Sequence, residues 1–235
     1  NSEDGLEGQA ELALVNLLGR GRTGFLSYRR SAKLWDARLS VKFPYLLGLR
    51  GDTRFTLSAS RERREAYISE ELAGSAGYDA RVFGEFDMSL DYRLSRVREK
   101  EPDAALFGPP AVLSELSLGV VRDRRDDRFD PRDGSFLSLG LTGAPKVFGS
   151  EKPYGKIFAQ FSTYRGLGKG VSWASNLRLG AAAFRDVPLA SRLFYAGGGT
   201  SIRGFAQDRV GPIDPVTGLP AGGRFVLLVN QAVSY

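Results

Sequence analysis

The sequence contains no cysteine and no histidine. Without cysteine there is no disulfide, no thiolate nucleophile and no cysteine-bound zinc or iron–sulfur centre. Without histidine there is no Ser-His-Asp triad, no histidine general base and no usual site for a transition metal. These absences argue against an enzyme, so we predict no catalytic residues, no metal site and no cofactor.

Long hydrophobic runs are also lacking. No apolar run approaches the ~18–20 residues that a membrane helix needs. The N-terminal Asn1-Ser2-Glu3-Asp4 is acidic and has no apolar segment behind it, so it is not a signal peptide. A helical membrane protein is therefore excluded. A membrane β-barrel is not, because alternation dilutes the hydrophobicity of its strands.

The sequence does contain a repeated alternation with a period of two. Between Phe86 and Leu94 every even-numbered residue is apolar or aromatic, and every odd-numbered residue is polar. Such a period is typical of strands with one apolar and one polar face. We predict an all-β, antiparallel chain of about twelve strands, at 8–17, 22–30, 33–43, 53–64, 67–80, 83–98, 112–124, 135–144, 154–165, 171–184, 192–197 and 223–235.

Alternation alone does not separate a soluble β protein from a membrane barrel, and two features favour the membrane. Several predicted strands run to ten or more residues, longer than the ~5–6 typical of soluble strands. Aromatic residues also lie near the predicted strand ends, as an interfacial girdle requires. They are Tyr28, Trp35, Phe43, Tyr45, Tyr92, Tyr154, Tyr164, Trp173, Tyr195 and Tyr235.

The segment from Arg122 to Gly134 is dense in charge. Its five arginines and five aspartates cancel, so it lacks the surplus positive charge of a nucleic-acid site. Asp-Pro and Asp-Gly pairs favour turns. We interpret the segment as a solvated hairpin connection between two strands.

A glycine-rich segment runs from Pro188 to Gly223, and structureless loops of that length tend to be functional. It lacks the Gly-Lys-Ser/Thr of a nucleotide-binding loop. Arg203 within it offers a rigid fork of donors that could join the loop to a carboxylate in a polar lumen. Gly204 would allow close backbone approach, and Phe205 would anchor the loop by packing. An exposed loop with an incidental arginine is the alternative.

These segments together resemble a known family. The 122–134 connection, Leu193 to Gly198 and Ile202-Arg203-Gly204-Phe205 are similar to segments of the outer-membrane protein assembly factors of the BamA and TamA type, the bacterial surface-antigen family. Asn16 to Gly21 resembles that family's first barrel hairpin. The glycine frame of the motif is also similar, and comprises Gly197, Gly198, Gly211, Pro212, Gly222 and Gly223.

The resemblance implies a sixteen-stranded antiparallel barrel in a bacterial-type outer membrane, with residues 1–235 forming a transmembrane barrel domain without its periplasmic modules. The sixth extracellular loop would fold into the lumen and carry residues 202–205. A client β-strand would pair with the edge of strand one at a weak seam. The implied partners are nascent outer-membrane or secreted polypeptides, outer-membrane lipid or lipopolysaccharide, and accessory periplasmic or lipoprotein subunits, but no nucleic acid.

Two departures from the family pattern concern the loop arginine. The family's glutamate, expected to face Arg203, is replaced by Ala232, and the chain stops at Tyr235 after about twelve strands. Either the chain is a fragment or a shortened barrel closes differently. Asp123, Asp126 and Asp127 are the candidate partners of Arg203 within the chain.

Three functions follow from these interpretations. The first is assembly or insertion of other outer-membrane proteins. The second is secretion of one partner polypeptide through the lumen, as in two-partner transport. The third is a passive pore or structural barrel, with a lumen lined by Asp36, Arg38, Lys42, Asp87, Asp91, Arg93 and Arg178.

Overall fold

The computed structural model describes residues 7–17, 19–168, 170–199, 201–202 and 204–234. These form one antiparallel sheet of eleven strands arranged in chain order. The strands are β1 (Gly8–Val15), β2 (Thr23–Arg30), β3 (Leu34–Pro44), β4 (Asp52–Arg63), β5 (Ile68–Val82), β6 (Phe86–Lys100), β7 (Ala111–Asp123), β8 (Gly134–Ala144), β9 (Tyr154–Gly168), β10 (Val171–Phe184) and β11 (Phe225–Ser234). Short 3₁₀ turns occur at Leu46–Gly48, Lys146–Phe148 and Ala190–Arg192.

Each strand hydrogen-bonds to its neighbour in sequence through hairpin connections. The 122–134 segment connects β7 to β8, as its turn chemistry predicts. The 16–21 segment connects β1 to β2, where the amide of Gly21 donates to Asn16 Oδ1 at 2.9 Å. Within the described ranges β1 pairs only with β2 and β11 only with β10, so these two strands are the edges of the sheet. None of the helical segments there is long and apolar enough to cross a membrane.

The strand predicted at 192–197 is wrong. Only single bridges occur in this segment, between Phe194 and Gly223 and between Ala196 and Val210. The aromatic residues favour a strand, but the positive φ values of Gly197 and Gly198 turn the chain away from a ladder. The long connection that carries Ile202 therefore follows the tenth strand rather than the eleventh.

The register assigns the side chains of each strand to two faces, one mostly apolar and one mostly polar. Leu90, Leu118 and Leu141 are matched across β6, β7 and β8 on the apolar face, and Leu90 is 46% exposed there. The opposite face carries polar side chains, including all those proposed to line a lumen. These are Asp36, Arg38, Lys42, Asp87, Asp91, Arg93 and Arg178.

The polar face is the inner one, because the long connection between β10 and β11 packs against it. Arg192 of that connection reaches Glu71 on β5 and Glu115 on β7, so the sheet curves around it. The apolar face is left to meet lipid, the arrangement of a membrane barrel.

Several predicted girdle aromatics lie elsewhere. Tyr154 is buried on the inner face within a small core that includes Val97 and Leu113. Tyr195 belongs to the long connection and contacts Tyr67. Period-two alternation assigned the strand of Tyr154 but not its face, because its inward row holds apolar residues beneath the connection, and Tyr195 lies in the predicted strand that does not form.

Candidate functional site: the β10–β11 loop inside the sheet

The connection between β10 and β11, residues 185–224, is here called the β10–β11 loop. Its side chains and backbone contact inward residues of β5, β6, β7 and β9, spread over half of the sheet. A connection that touches so many strands from inside occupies the space that they enclose. It is therefore the candidate functional site.

A group of buried charges anchors the first part of the loop. The guanidinium of Arg192 donates from Nε to Glu115 Oε1 at 3.0 Å and from Nη2 to both carboxylate oxygens of Glu71 at 3.4 Å. Arg93 Nη2 lies 2.9 Å from Glu71 Oε1, and the Tyr154 hydroxyl donates to Glu115. We call these five residues the anchor cluster. Arg192 joins the loop directly to β5 and β7 through charge-assisted hydrogen bonds, the stronger class, and Arg93 and Tyr154 extend the cluster to β6 and β9.

Burial and charge oppose each other at Arg192, whose side chain is 16% exposed. Burial by itself lowers the pKa of the Arg192 guanidinium, but the facing carboxylates of Glu115 and Glu71 more than offset this and leave the pKa raised. The guanidinium therefore stays charged, and its two acidic partners are neutralised by it and by Arg93.

Two further contacts position the backbone beside the anchor cluster. The amides of Ala190 and Ser191 donate to the carboxylate of Glu99 at 2.8 and 3.0 Å, which satisfies the open N-terminus of the 3₁₀ turn. Lys156 Nζ donates to the carbonyl of Arg192 at 3.1 Å and lies 4.1 Å from the ring centroid of Phe194. Residues 190–194 are thus held by backbone as well as side-chain contacts.

Sequence reasoning missed the anchor cluster. Arg192 was assigned to a strand that does not form, and Glu71 and Glu115 look like ordinary members of a polar row. One signal was available. The inward neighbours of Glu71 are Ser69 and Ala73, so a carboxylate there has no residue on its own strand to pair with.

Glycines make the close packing of the loop possible. A Cβ on Gly180 of β10 would lie 2.6 Å from the Phe194 ring, so glycine there admits the aromatic side chain. A Cβ on Gly222 would lie 2.9 Å from Leu193 Cβ and from the Tyr195 ring, at a φ of +69°. Gly222 therefore brings the returning chain against the residues that follow Arg192.

A second ion pair holds a later part of the loop. Arg64, in the β4–β5 connection, donates from Nη1 to both carboxylate oxygens of Asp208 at 3.2 Å, and its guanidinium lies over the Tyr195 ring. Burial raises the pKa of Asp208, and Arg64 opposes that rise only in part. Burial also raises the pKa of Tyr195 to about 12, so its hydroxyl stays neutral. Arg209 Nε pairs with Glu65 Oε2 at 2.6 Å beside them.

The motif residues lie between these two attachments, and Arg203 is outside the described residues. Ile202 forms a single bridge with Gly198, and the carbonyl of Phe205 accepts from the Gly198 amide at 3.0 Å. Phe205 is 58% exposed, so the expectation that it anchors the loop by packing is corrected. Gly204 has no atom near an added Cβ but has a φ of +87°, so it serves a turn rather than a close approach.

The glycine frame has a conformational basis at most of its positions. Gly197, Gly198, Gly211 and Gly222 all have positive φ, whereas Gly223 does not. Gly197 has a φ of +115°, and a Cβ added there would lie 2.3 Å from the carbonyl oxygen of Ala206. Pro212 accepts a hydrogen bond from the Ala221 amide at 2.9 Å, closing the outer part of the loop.

The proposed acidic partners of Arg203 all have local contacts. Asp123 pairs with Arg125 at 2.8 Å and with Arg128 at 3.4 Å. Asp126 and Asp127 accept backbone amides of their own turn, which lowers the pKa of both carboxyls. Which carboxylate Arg203 faces stays a prediction.

Ala232, the residue at the position where the family resemblance implies a glutamate, faces inward. It pairs with Ala174 on the inner face of β11 and offers no charge to the loop. Asn230, two residues earlier on the same face, donates from Nδ2 to the Ser201 carbonyl at 3.3 Å. An amide contact to the loop backbone is therefore present near the motif.

The contacts described for this site hold the loop in position. Among the residues that the structure describes, no three His, Cys, Asp or Glu side chains cluster so as to hold a metal ion. The paired charges of the anchor cluster form a neutralised contact between loop and strands, which suits holding a segment in place.

Comparison with known proteins agrees with this geometry. Residues 16–230 match the Omp85 superfamily domain. A SAM50-like protein of Schizosaccharomyces pombe is 30% identical over 119 residues, which cover 48% of this chain and 25% of that protein. The crystal structure of BamA from Haemophilus ducreyi lacking POTRA domains 1–3 has a TM-score of 0.87 at 19% identity, over 99% of this chain and 51% of that one.

The length of these relatives matters for what the match means. The chain spans about half of the BamA structure and a quarter of the SAM50-like protein. The fold is that of a transmembrane β-barrel of the BamA kind. With a family match that extends over nearly all of its residues, the chain belongs to the Omp85 superfamily, the family of outer-membrane protein assembly factors.

Proposed function

We propose that residues 1–235 are part of the barrel domain of an outer-membrane factor that assembles or inserts other β-barrel proteins. The client strand enters the membrane beside the N-terminal edge of the sheet. Preceding periplasmic modules and accessory subunits deliver the client. The step is non-enzymatic, because it exchanges backbone hydrogen bonds and forms no covalent bond.

The observation that carries this proposal is the shortness of the N-terminal strands. β1 and β2 have 8 residues each, whereas β5 and β6 have 15. Tilted at about 45°, eight residues rise roughly 19 Å and fifteen roughly 36 Å, against a hydrocarbon core of about 30 Å. A barrel that is short on one side thins the bilayer there, which lowers the barrier to inserting a new strand.

The edge at that side adds a template. Among the described residues β1 hydrogen-bonds to β2 only, and an unpaired strand edge accepts another strand. Occupation of the lumen by the β10–β11 loop disfavours a passive pore, since the anchor cluster holds the loop across the channel. We place the protein in a bacterial-type outer membrane, while relatives in the superfamily include a yeast protein.

Site-specific photo-crosslinking in the full-length protein tests which side receives the client. A photoreactive residue replaces outward Leu12 or Leu26 on the short side, and Leu90 or Leu116 as matched outward controls on the long side. We expect adducts with a nascent test barrel mainly at Leu12 and Leu26. Equal labelling on both sides would overturn the proposal. Adducts at inward Ser27 and Ser58 without outward labelling would instead indicate secretion through the lumen.

A further inference from the structure

Basic side chains stand on the outward, mostly apolar face of the sheet at one end of β4, β5 and β6. The register matches Arg61 of β4 and Arg98 of β6 across Glu70 of β5. Three more basic residues occupy the outward rows of β4 and β6 beside them. We call the five the outward basic belt, which comprises Arg61, Arg63, Arg96, Arg98 and Lys100.

The belt carries more positive charge than the acidic residues around it neutralise. Within the outward rows of β4, β5 and β6 at this end, all of them described, the carboxylate present is that of Glu70. It pairs with Arg98 at 2.8 Å and with Arg61 at 3.5 Å. The β6–β7 connection adds Glu101 and Asp103. Setting these three acids against the five basic residues still leaves two positive charges.

An aromatic ring, rather than further acid, holds much of the belt together. The ring centroid of Phe107 lies 5.9 Å from the Arg61 guanidinium and 5.5 Å from that of Arg98. Lys100 Nζ lies 5.4 Å from the same centroid. A ring attracts a cation through its quadrupole and does not cancel the charge. The belt is therefore assembled in a way that leaves its charge available to an anion.

The belt begins where the apolar part of the outward face ends. On β6 the outward row from Phe86 to Leu94 is apolar or aromatic, and at a tilt of about 45° these nine residues rise roughly 22 Å. The apolar band of an outer-membrane barrel is about 25 Å tall. Arg96 is the next outward residue, so the belt stands at the level of the lipid headgroups.

The charge is confined to one end of these strands. At their other end the outward residues are Thr53 on β4, Val82 on β5 and Phe86 on β6, which carry no charge. Such a difference between the two ends matches a lipid that is present in one leaflet and not in both.

The end that carries the belt is the one from which the β10–β11 loop leaves. β6 and β10 are both even-numbered strands of an antiparallel sheet in chain order, so they run in the same direction. Lys100 at the end of β6 therefore lies at the same end as Phe184 of β10. The contact of Glu99 with the backbone amides of the loop agrees with this.

The belt is also local around the sheet. At the same end the outward rows of β7 to β10 hold uncharged residues, namely Val112, Gly143, Gly155 and Ala183. A general attraction to headgroups would place charge on these strands as well. The concentration of charge on β4 to β6 indicates a single site.

A hollow of about 420 Å³ opens in the outward face beside Arg96 and Arg98. Trp35 of β3 lines it on one side, and Leu72 of β5 is matched with Arg96 and is 64% exposed. Basic and apolar side chains thus meet in one hollow. Its occupant has to carry anionic groups and apolar chains together.

The length of the belt selects among anionic lipids. Arg96 and Lys100 are four residues apart on β6, about 13 Å along the strand. That distance gives room for two phosphates, whereas a common phospholipid such as phosphatidylglycerol has one. The surplus of two positive charges matches the same ligand.

We propose that the outward basic belt binds an outer-leaflet lipid with two separate phosphates, the chemistry of the lipid A part of lipopolysaccharide. One phosphate lies against Arg96 and the other against Lys100 and Arg63. The acyl chains run down the apolar row from Leu72. The extracellular end is taken as the one from which the β10–β11 loop leaves, as the family resemblance implies. The proposal rests on the outer-membrane location proposed above and not on the assembly of clients.

Native mass spectrometry of the full-length protein in an uncharged detergent tests the site. The added lipids are diphosphoryl lipid A, its monophosphoryl form with the same acyl chains, and phosphatidylglycerol. We expect affinity to fall in that order. In R96Q/K100Q the affinity for the diphosphoryl lipid falls roughly twentyfold, since each basic side chain near an anionic surface contributes roughly fivefold. R50Q/R165Q removes the same charge at the opposite end of the sheet and leaves the affinity unchanged.

Glu70→Gln gives an effect of the opposite sign, which misfolding cannot produce. It removes the acid within the belt, so the affinity for the diphosphoryl lipid should rise severalfold. An affinity that does not rise overturns the proposal, as do equal affinities of the wild type for all three lipids or an equal loss in R50Q/R165Q.

Displacement of the bound lipid by inorganic phosphate alone also overturns the proposal, because it shows a site for a free anion rather than for a lipid. These measurements contain no client. A failure here therefore leaves the expected client adducts at Leu12 and Leu26 intact, and it is distinguishable from a failure of the assembly role.

Discussion

The two halves of the β10–β11 loop are held very differently. The first half carries Arg192, whose charge meets carboxylates of two strands at 3.0–3.4 Å. The outer half, around Asp214 and Val216, makes hydrogen bonds within its own turn, and Val216 is 90% exposed. Between them the Arg64–Asp208 pair holds the loop a second time, and the motif residues 202–205 precede that pair in the sequence.

This difference gives the two parts of the loop different structural roles. Buried charge networks define one position well, because every alternative position leaves charges without partners. A locally closed turn needs no such partner and can shift without cost to the base. The base therefore fixes where the loop enters the space inside the sheet.

Removal of the arginine from the anchor cluster is the strongest way to break this contrast. In Arg192→Ala, Glu71 and Glu115 stay buried without their shared cation, which costs about 3–5 kcal/mol. We expect a lower thermal unfolding midpoint by circular dichroism in detergent and rapid tryptic cleavage within residues 185–224. Cleavage as slow as in the wild type would contradict the role of Arg192.

A matched control separates charge from geometry. Arg192→Lys keeps one positive charge but loses the fork that reaches both carboxylates, so we expect an intermediate midpoint. The double variant R192L/E115Q removes one positive and one negative charge and leaves Glu71 paired with Arg93, so its midpoint should recover above that of Arg192→Ala. No recovery would show that packing, rather than unpaired charge, sets the loss.

Two glycines of the loop provide the next comparison. Gly222 and Gly218 both have φ near +68°, but only Gly222 would press an added Cβ against Leu193 and Tyr195. Gly218→Ala carries backbone strain alone, about 1–2 kcal/mol. Gly222→Ala adds overpacking of about 1–3 kcal/mol. Urea unfolding of the two variants should differ by that second amount, and equal losses would rule out the contact.

Strand positions in this protein could be predicted because each half-exposed strand repeats its pattern at period two. The strand lengths also favoured a membrane barrel, in which the apolar row that includes Leu90 faces lipid. The anchor cluster could not be predicted in the same way. Two of its members, Arg192 and Glu71, lie 121 residues apart in the sequence, and only the curvature of the sheet brings them together. The exposure of Phe205 was equally hidden, because an aromatic residue in a loop looks the same whether it packs or not.

The Arg64–Asp208 pair makes one attachment of the loop dependent on pH. The pKa of Asp208 is raised in the folded protein, mainly by burial. Asp208 therefore takes up a proton at higher pH than an exposed aspartate, and the ion pair with Arg64 is lost as the pH falls through that raised pKa. Because the folded-state pKa lies above the unfolded one, this protonation favours the folded state and is not a cause of global unfolding.

We therefore expect tryptic cleavage near Arg209, measured relative to an unstructured control peptide at the same pH, to increase as the pH falls through the raised pKa of Asp208, with no fall in the thermal midpoint attributable to Asp208. In Asp208→Asn the cleavage rate should be high at neutral pH and lose its pH dependence. A wild-type rate that does not change with pH, or a variant that keeps the wild-type profile, would contradict the assignment. Cleavage near Arg192 should not follow the same profile, since Arg192 stays charged throughout.

The smallest expected effect concerns Phe205. Because its side chain is 58% exposed, Phe205→Ala should change the unfolding free energy by no more than about 0.5 kcal/mol. If the motif acts on clients rather than on the barrel, the same variant should reduce insertion of a test barrel into liposomes while its thermal midpoint stays at the wild-type value. A midpoint lowered as far as in Arg192→Ala would instead make Phe205 part of the anchored base, and the distinction between the two halves of the loop would fail at that residue.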